Sequence, residues 1–259
     1  MQKKRGQITA FIIIGLIILI SAFLFLYLRK QTQEKSETLT PADINPIKLY
    51  VDSSINMVVE RGIYFICLQG GYYDVPNPVD YSFIKIPYYF YLGNQSFPEK
   101  ETIENEFSKY VEQELPAYIN NFEVFKQIGY EFETGNIRVD SSLGKTLNIK
   151  INYPITIKKD ESTATIQDFY YSKDFNFDGI YNILSDFASE HQKNPDFVPI
   201  GHLSVLAYKN NFTYNLAYSS NNTVVYSFIF NDSLEKNQNL VFNFASRYNW
   251  SELNQAEMG

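Results

Sequence analysis

The chain has 259 residues, with 22 Lys and Arg against 29 Asp and Glu, a formal net charge of −7. After residue 30 the balance is 17 basic to 29 acidic side chains, or −12, which disfavours nucleic acid or anionic lipid as a ligand of the folded part. A single cysteine, Cys67, excludes an internal disulfide, so the fold stands on its core alone. The 21 Tyr and 21 Phe suit strands and half-buried surfaces, although an AT-rich coding sequence accounts for such an excess as well.

In chain order, the first element is an uncharged run of 21 residues, Ile8 to Leu28. At 1.5 Å rise per residue a helix of that length covers about 30 Å, the thickness of a bilayer's hydrocarbon core. It is longer than the apolar region of a cleaved secretory signal, and Arg29-Lys30 follows it with no small-x-small site. The expectation is a retained transmembrane helix over 7–30, preceded by a basic leader, 1–6, and followed by a polar linker, 31–45. The lipid bilayer is therefore the first expected partner.

The residues ahead of this run, Lys3-Lys4-Arg5-Gly6-Gln7, place a basic cluster, a small residue and a Gln directly against the apolar segment. This order resembles the class III signal peptide of archaeal type IV pilin-like proteins, over about residues 3–28 only. The resemblance implies cytoplasmic cleavage by a prepilin peptidase between Gly6 and Gln7, with the apolar helix kept and Thr9 at the third mature position. The fifth mature position, where many members of the family carry Glu, is Phe11, which favours a lone anchored protein over a filament subunit. Basic residues flank the helix on both sides, and the leader-like cluster tips the orientation to N-terminus inside and C-terminal domain extracytoplasmic.

Beyond the linker, about 210 residues suffice for a real hydrophobic core. Asn45-Pro46 reads as a helix start, and Ile47, Val51, Ile55, Val58 and Val59 continue it toward Cys67, where Gly70-Gly71 stops it. Four prolines between 76 and 98 forbid a long helix there, and 82–91 is β-prone. Glu99 to Leu115 reads as a second helix whose outer face carries Glu99, Glu101, Glu104, Glu106, Glu112 and Glu114. A solvated face explains these carboxylates more simply than acid–base pairs do. Pro116 is expected to interrupt this helix, with a further helical piece to Ile128.

From Tyr130 to Tyr171 the period changes to two, most plainly in Thr146-Leu-Asn-Ile-Lys-Ile-Asn-Tyr153, so an antiparallel meander with one polar face is expected. Helices follow at 177–191 and 199–209, then a hairpin over 212–230 and a last strand at 240–248. The fold class is α+β: a transmembrane helix, then an ectodomain over 46–250 of antiparallel sheet with packed helices, and a short tail, 251–259.

Candidate sites are few. Asp174-Phe-Asn176-Phe-Asp178-Gly179 has the D-x-N-x-D-G spacing that sets three oxygen side chains around calcium, but the twelfth position is Ser185 rather than Glu. The other reading is a turn before a helix, and no other metal or cofactor is implied. His191 and His202, the only histidines, are too few with Cys67 for a zinc site, and Cys67 lies in an apolar stretch. Tyr72-Tyr73 and Tyr88-Tyr89-Phe90-Tyr91 could stack on sugars or serve as strand core and edge. Asn94, Asn211, Asn221, Asn231 and Asn249 open N-x-S/T sequons, a small excess over chance, and are glycosylation candidates.

These features imply a single-pass, membrane-anchored archaeal cell-surface protein with a non-enzymatic domain. Its role would be adhesion, envelope structure or a pilin-like accessory function, with pilin-like or envelope proteins as partners. The alternatives are a filament-forming pilin-like subunit and an envelope-anchored hydrolase or sugar-binding protein.

Overall fold

The computed structural model describes residues 18–25, 39–219, 221–231 and 238–250. Residues 18–25 are helical, and every one of their side chains is exposed. The rest of the apolar run, the Gly6–Gln7 junction, residues 31–38 of the linker and the 251–259 tail lie outside the described residues. Among the described residues no helix is long and apolar enough to cross a membrane.

The folded body is α+β and is built around one long helix, α1 (Pro41–Leu68). It starts five residues before the expected Pro46 because Thr40 is the better cap. Thr40 Oγ1 donates to Asp43 Oδ2 (2.6 Å) and the Thr40 backbone N–H does the same (3.3 Å), which closes a capping box. Leu39, just ahead of the cap, is already buried. Ile47, Val51, Ile55, Val58, Val59, Ile63, Ile66 and Cys67 make its buried stripe, as the helical spacing requires.

Against α1 lies α2 (Lys100–Ile119), and Gly62 sits under the Tyr110 and Phe107 rings of α2. A Cβ at Gly62 would stand 2.7 Å from the Tyr110 ring, so the glycine that weakens α1 as an isolated helix is what lets the two helices meet. Pro116 does not interrupt α2. It sits in the last turn, where one missing N–H costs least. The end is secured by Asn120 in the left-handed region and by the Tyr50 hydroxyl, which donates to the Ile119 carbonyl (2.9 Å). A turn of 3-10 helix (Asn120–Phe122) and a short α3 (Glu123–Lys126) follow.

Two sheets flank the helix pair. The first contains β5 (Glu131–Thr134), β6 (Arg138–Leu143), β7 (Thr146–Lys159) and β8 (Ser162–Asp174). β7 is its spine, pairing antiparallel with β5 and β6 along one edge and with β8 along the other. Leu147, Ile149, Ile151, Tyr153, Ile155 and Ile157 are buried, while Asn148, Lys150 and Asn152 are exposed, so the expected alternation is present. Pro154 is accommodated at a shift in the β7–β8 register between Asn152 and Ile155, where a ladder N–H is not needed.

The second sheet has the order β4 (Asn94–Gln95), β3 (Tyr88–Tyr91), β11 (Leu240–Arg247), β10 (Thr223–Phe230), β9 (Phe212–Ser219). It is mixed rather than purely antiparallel, because β3 runs parallel to β11. One face packs on α1 and on α4 (Phe177–Lys193), which is backed by α5 (Ile200–Asn210). The other face is covered by a hairpin of β1 (Val79–Tyr81) and β2 (Ile84–Ile86), which buries Ile86, Val225 and Ala245 together.

Of the six carboxylates expected to form a solvated face, Glu99 and Glu101 are exposed, but Glu104, Glu106, Glu112 and Glu114 are clasps. Glu112 Oε1 accepts from the Val139 N–H (2.8 Å) and Glu104 Oε1 from the Leu143 N–H (2.8 Å), both on the outer edge of β6. Ser141, between them, donates to the Glu104 carbonyl (2.7 Å). An edge strand with free N–H groups is a pairing hazard, and here a neighbouring helix caps it. On the other flank, Glu106 Oε2 accepts from the backbone N–H groups of Tyr73 and Asp74 (2.9 Å each), and Glu114 Oε1 accepts from the Tyr73 hydroxyl (3.1 Å).

Candidate ligand cavity

The clasp on residues 73–74 fixes one wall of the main cavity. Gln69 adds to it by donating from Nε2 to the carbonyls of Tyr72 (3.1 Å) and Tyr73 (3.2 Å), and Lys109 pairs with Asp74. Gly70, at φ +60°, makes the turn out of α1; a Cβ there would lie 2.5 Å from the Asn243 backbone oxygen. This loop contributes Tyr72, Pro76 and Asn77 to a cavity of about 550 Å³.

The opposite wall is the β3–β4 hairpin, which contributes Tyr88, Tyr91, Asn94 and Ser96. It is tied to its own strand by the Ser96 hydroxyl, which donates to the Tyr88 carbonyl (2.6 Å), and by the Ser96 N–H, which donates to the Tyr89 carbonyl (2.8 Å). It is tied to β11 by the Leu92 N–H, which donates to the Arg247 carbonyl (2.9 Å). Arg247 Nη1 donates to the Tyr91 hydroxyl (3.0 Å), and its guanidinium lies 5.3 Å from the Tyr91 ring centre. The rings of Tyr88 and Tyr91 stand 5.1 Å apart at 77°, so together they form an aromatic corner.

The tyrosine clusters noted in the sequence thus divide. Tyr72, Tyr88 and Tyr91 line the cavity, whereas Tyr89 and Phe90 are buried core. Tyr89 stacks on Phe244 and donates to the Gly70 carbonyl (2.9 Å). Burial, with Glu106 nearby, raises the Tyr72 hydroxyl above its usual range, so Tyr72 stays neutral at any ordinary pH.

Comparison of the chain with family models, with curated proteins and with solved structures finds no match in any of the three. The reading of the site therefore rests on its own residues.

The remaining sequence candidates lie apart from this cavity. Asn176 is the N-cap of α4, its Oδ1 accepting from the Gly179 N–H (3.2 Å), and Asp178 Oδ1 takes the Lys100 ammonium at 2.7 Å. Asp174 is the last residue of β8, opposite Thr146. Two of the three oxygen side chains proposed for calcium therefore already have protein partners; among the described residues no group of three or more His, Cys, Asp or Glu side chains is placed to hold a metal.

His191 is wholly buried beneath the second sheet, stacked on Phe90 (3.9 Å between ring centres), with Nε2 2.7 Å from the Tyr248 hydroxyl. Tyr248 in turn hydrogen-bonds Tyr226. Burial lowers the His191 pKa to about 4, so it is a neutral core residue at physiological pH. His202 Nε2 lies 3.3 Å from Asp186 Oδ1 on the α4–α5 surface. Cys67 is buried, and its thiol is pushed far up by desolvation, which leaves it unreactive. Of the sequon asparagines, Asn94, Asn211, Asn221 and Asn231 are exposed and Asn249 is half-buried. Asn94 lines the cavity, so carrying a glycan and contacting a cavity ligand exclude each other at that residue.

Nothing in the sequence marks Gln69, Glu106 and Arg247 as the residues that pin the cavity walls; Glu106 reads there as one carboxylate of a solvated face. Glu106 and Arg247 meet partners far along the chain, and Gln69 caps a turn through backbone carbonyls three and four residues on, which its residue type alone does not announce.

Proposed function

We propose that this chain is a single-pass membrane protein of the cell surface, whose α+β domain lies outside the cell and acts without catalysis, in adhesion, envelope structure or as a pilin-like accessory subunit. The observation that carries the reading is the apolar helical segment 18–25. Ile18, Leu19, Ile20, Phe23, Leu24 and Phe25 are each 57–72% exposed, spread around the whole helix. Burying such side chains is worth about 1.5–3 kcal/mol apiece, so a helix that leaves all of them uncovered needs a lipid or helical environment of its own. The 21-residue uncharged run around it has the length for lipid.

The domain's charge, −12 after residue 30, suits a surface bathed in salt. Among the described residues the cavity is lined by Tyr, Asn, Ser and Pro, a set that can bind; the Ser96 hydroxyl already donates to the Tyr88 carbonyl, and no lining carboxylate or histidine stands by to activate it. Phe11 at the fifth position after the expected cleavage point weighs for a lone anchored protein over a filament subunit.

The test is fractionation of cells that make the full chain. The protein should stay with membranes through an alkaline wash, dissolve only in detergent, and be cut by protease added outside intact cells. Mass spectrometry should find Gln7 at its N-terminus if the leader follows the pilin route. A full chain that is freely soluble without detergent, or never reached from outside, overturns the reading; an intact Met1 removes the pilin route and leaves the anchor.

A further inference from the structure

We propose that the cavity between the 72–77 loop and the β3–β4 hairpin binds a neutral saccharide. Its volume, about 550 Å³, falls in the range of small-ligand sites. Among the described residues no side chain lining it carries a charge, and the Arg247 guanidinium beside it is already engaged by the Tyr91 hydroxyl and ring, so a charged ligand would lose hydration there for little counter-charge in return. The acidic balance of the domain adds a field that repels anions.

A purely apolar ligand fits poorly too. The side-chain amides of Asn77 and Asn94 are exposed and, among the described residues, engaged by no protein group, so they are free to exchange water for the hydroxyls of a ligand. Tyr91 accepts the Arg247 N–H with its oxygen, which leaves its own O–H free to donate. What remains is a molecule with one apolar C–H face and a rim of neutral hydroxyls: a sugar ring. Its C–H face suits the Tyr88–Tyr91 corner, and its hydroxyls suit the two amides and the Tyr91 O–H.

The site is also set before binding. Glu106, Gln69 and Lys109 hold the loop wall, while Ser96 and the Arg247 backbone hold the hairpin wall, so little ordering cost is left for the ligand to meet. The proposal stands apart from the membrane reading, since neither requires the other.

The experiment is saturation-transfer NMR on the detergent-solubilised full chain with four neutral trisaccharides: maltotriose, cellotriose, mannotriose and chitotriose. At least one should receive saturation on its ring C–H protons, with Kd of about 1 mM or tighter. Tyr91→Ala should weaken it about tenfold. Tyr91 is 40% exposed, so its truncation spares the core. Asn94→Ala, at an exposed position, should weaken binding in the same direction, and Tyr170→Ala, 72% exposed on the other sheet, should not. Saturation of none of the four overturns the proposal. So does saturation unchanged by both Tyr91→Ala and Asn94→Ala, or equal saturation of a hexuronic-acid trisaccharide, which would show no preference for neutral rings.

Discussion

The two sheets of this protein solve the same problem in opposite ways. The sheet of β5–β8 buries one face against α1 and α2 and leaves the other to water, so β7 alternates apolar and polar residues along most of its length. The sheet of β3, β4 and β9–β11 is covered on both faces, and β10, Thr-Val-Val-Tyr-Ser-Phe-Ile-Phe, is buried nearly throughout. Its stability is concentrated in a stack of rings. Phe244 lies against Tyr226 (5.1 Å) and Tyr89 (4.6 Å), and Phe187 of α4 sets its edge to Phe228. Covering both faces also brings a hairpin and a loop to the sheet's β3 edge, and that crowding makes the cavity.

The largest break in this contrast should come from Phe244→Ala or Phe228→Ala. Both rings are fully buried, and each should cost about 3–5 kcal/mol. Tyr170→Ala, on the open face of the other sheet, should stay within about 0.5 kcal/mol. Denaturant unfolding of the full chain in mild detergent, followed by circular dichroism, measures all three. Equal effects would mean that the two sheets are not packed as described.

Next comes acid. His191 titrates at about 4 in the folded state against an ordinary 6.5, so the unfolded chain takes up its proton first. Stability is then full above pH 6.5 and falls as pH drops toward 4, by about 3 kcal/mol at most. His191→Gln lowers stability at neutral pH but should remove this part of the slope, and subtracting the two pH profiles isolates the histidine from other groups. A difference profile that is flat between pH 6.5 and 4 would refute a neutral His191 in the core.

Much of this architecture was legible in the sequence, and the contrast between the sheets says why. One-sided burial writes period two into β7, and a helix on a core writes its stripe into α1; both are local patterns. The clasps of α2 were not legible. Glu104 and Glu112 look like any solvated carboxylates until β6, some thirty residues later, presents its unpaired N–H groups to them. Pro116 misled for a related reason: its cost depends on how close the helix end lies, and the tertiary contact of Tyr50 sets that end. The cavity was half legible. The Tyr runs were visible, but strict alternation would pair Tyr88 with Phe90 and Tyr89 with Tyr91. Instead β3 breaks period two where its register on β11 shifts between Ala245 and Ser246, so that Tyr88 and Tyr91 line the cavity while Tyr89 and Phe90 are buried, and no local pattern announces that shift.

The clasps give a smaller prediction. Glu112→Ala and Glu104→Ala should each cost about 1–3 kcal/mol, because a half-buried N–H of β6 loses its acceptor. The double variant should also promote concentration-dependent association through the freed edge, seen by light scattering. Removing Glu101, which is exposed on the same helix, should do neither.

The smallest effect concerns the link between the two halves. Lys100, at the start of α2, meets Asp178, in the first turn of α4, at 2.7 Å, with both side chains about one-third exposed. Ion pairs this open to water are worth about 0.2–1 kcal/mol and weaken with salt, so Lys100→Ala should lose at most that much, and less at high ionic strength. The same variant bears on the D-x-N-x-D-G loop. With Lys100 on Asp178 and the Gly179 N–H on Asn176, calcium should leave the unfolding midpoint of the unmodified chain where it is. A midpoint that rises with calcium, and rises further in Lys100→Ala, would mean that Asp178 is drawn from the lysine to a cation and that the turn before α4 gathers its oxygens after all. Between these outcomes the ammonium and a divalent cation compete for one carboxylate, and the geometry here favours the ammonium because it also fastens α2 to α4.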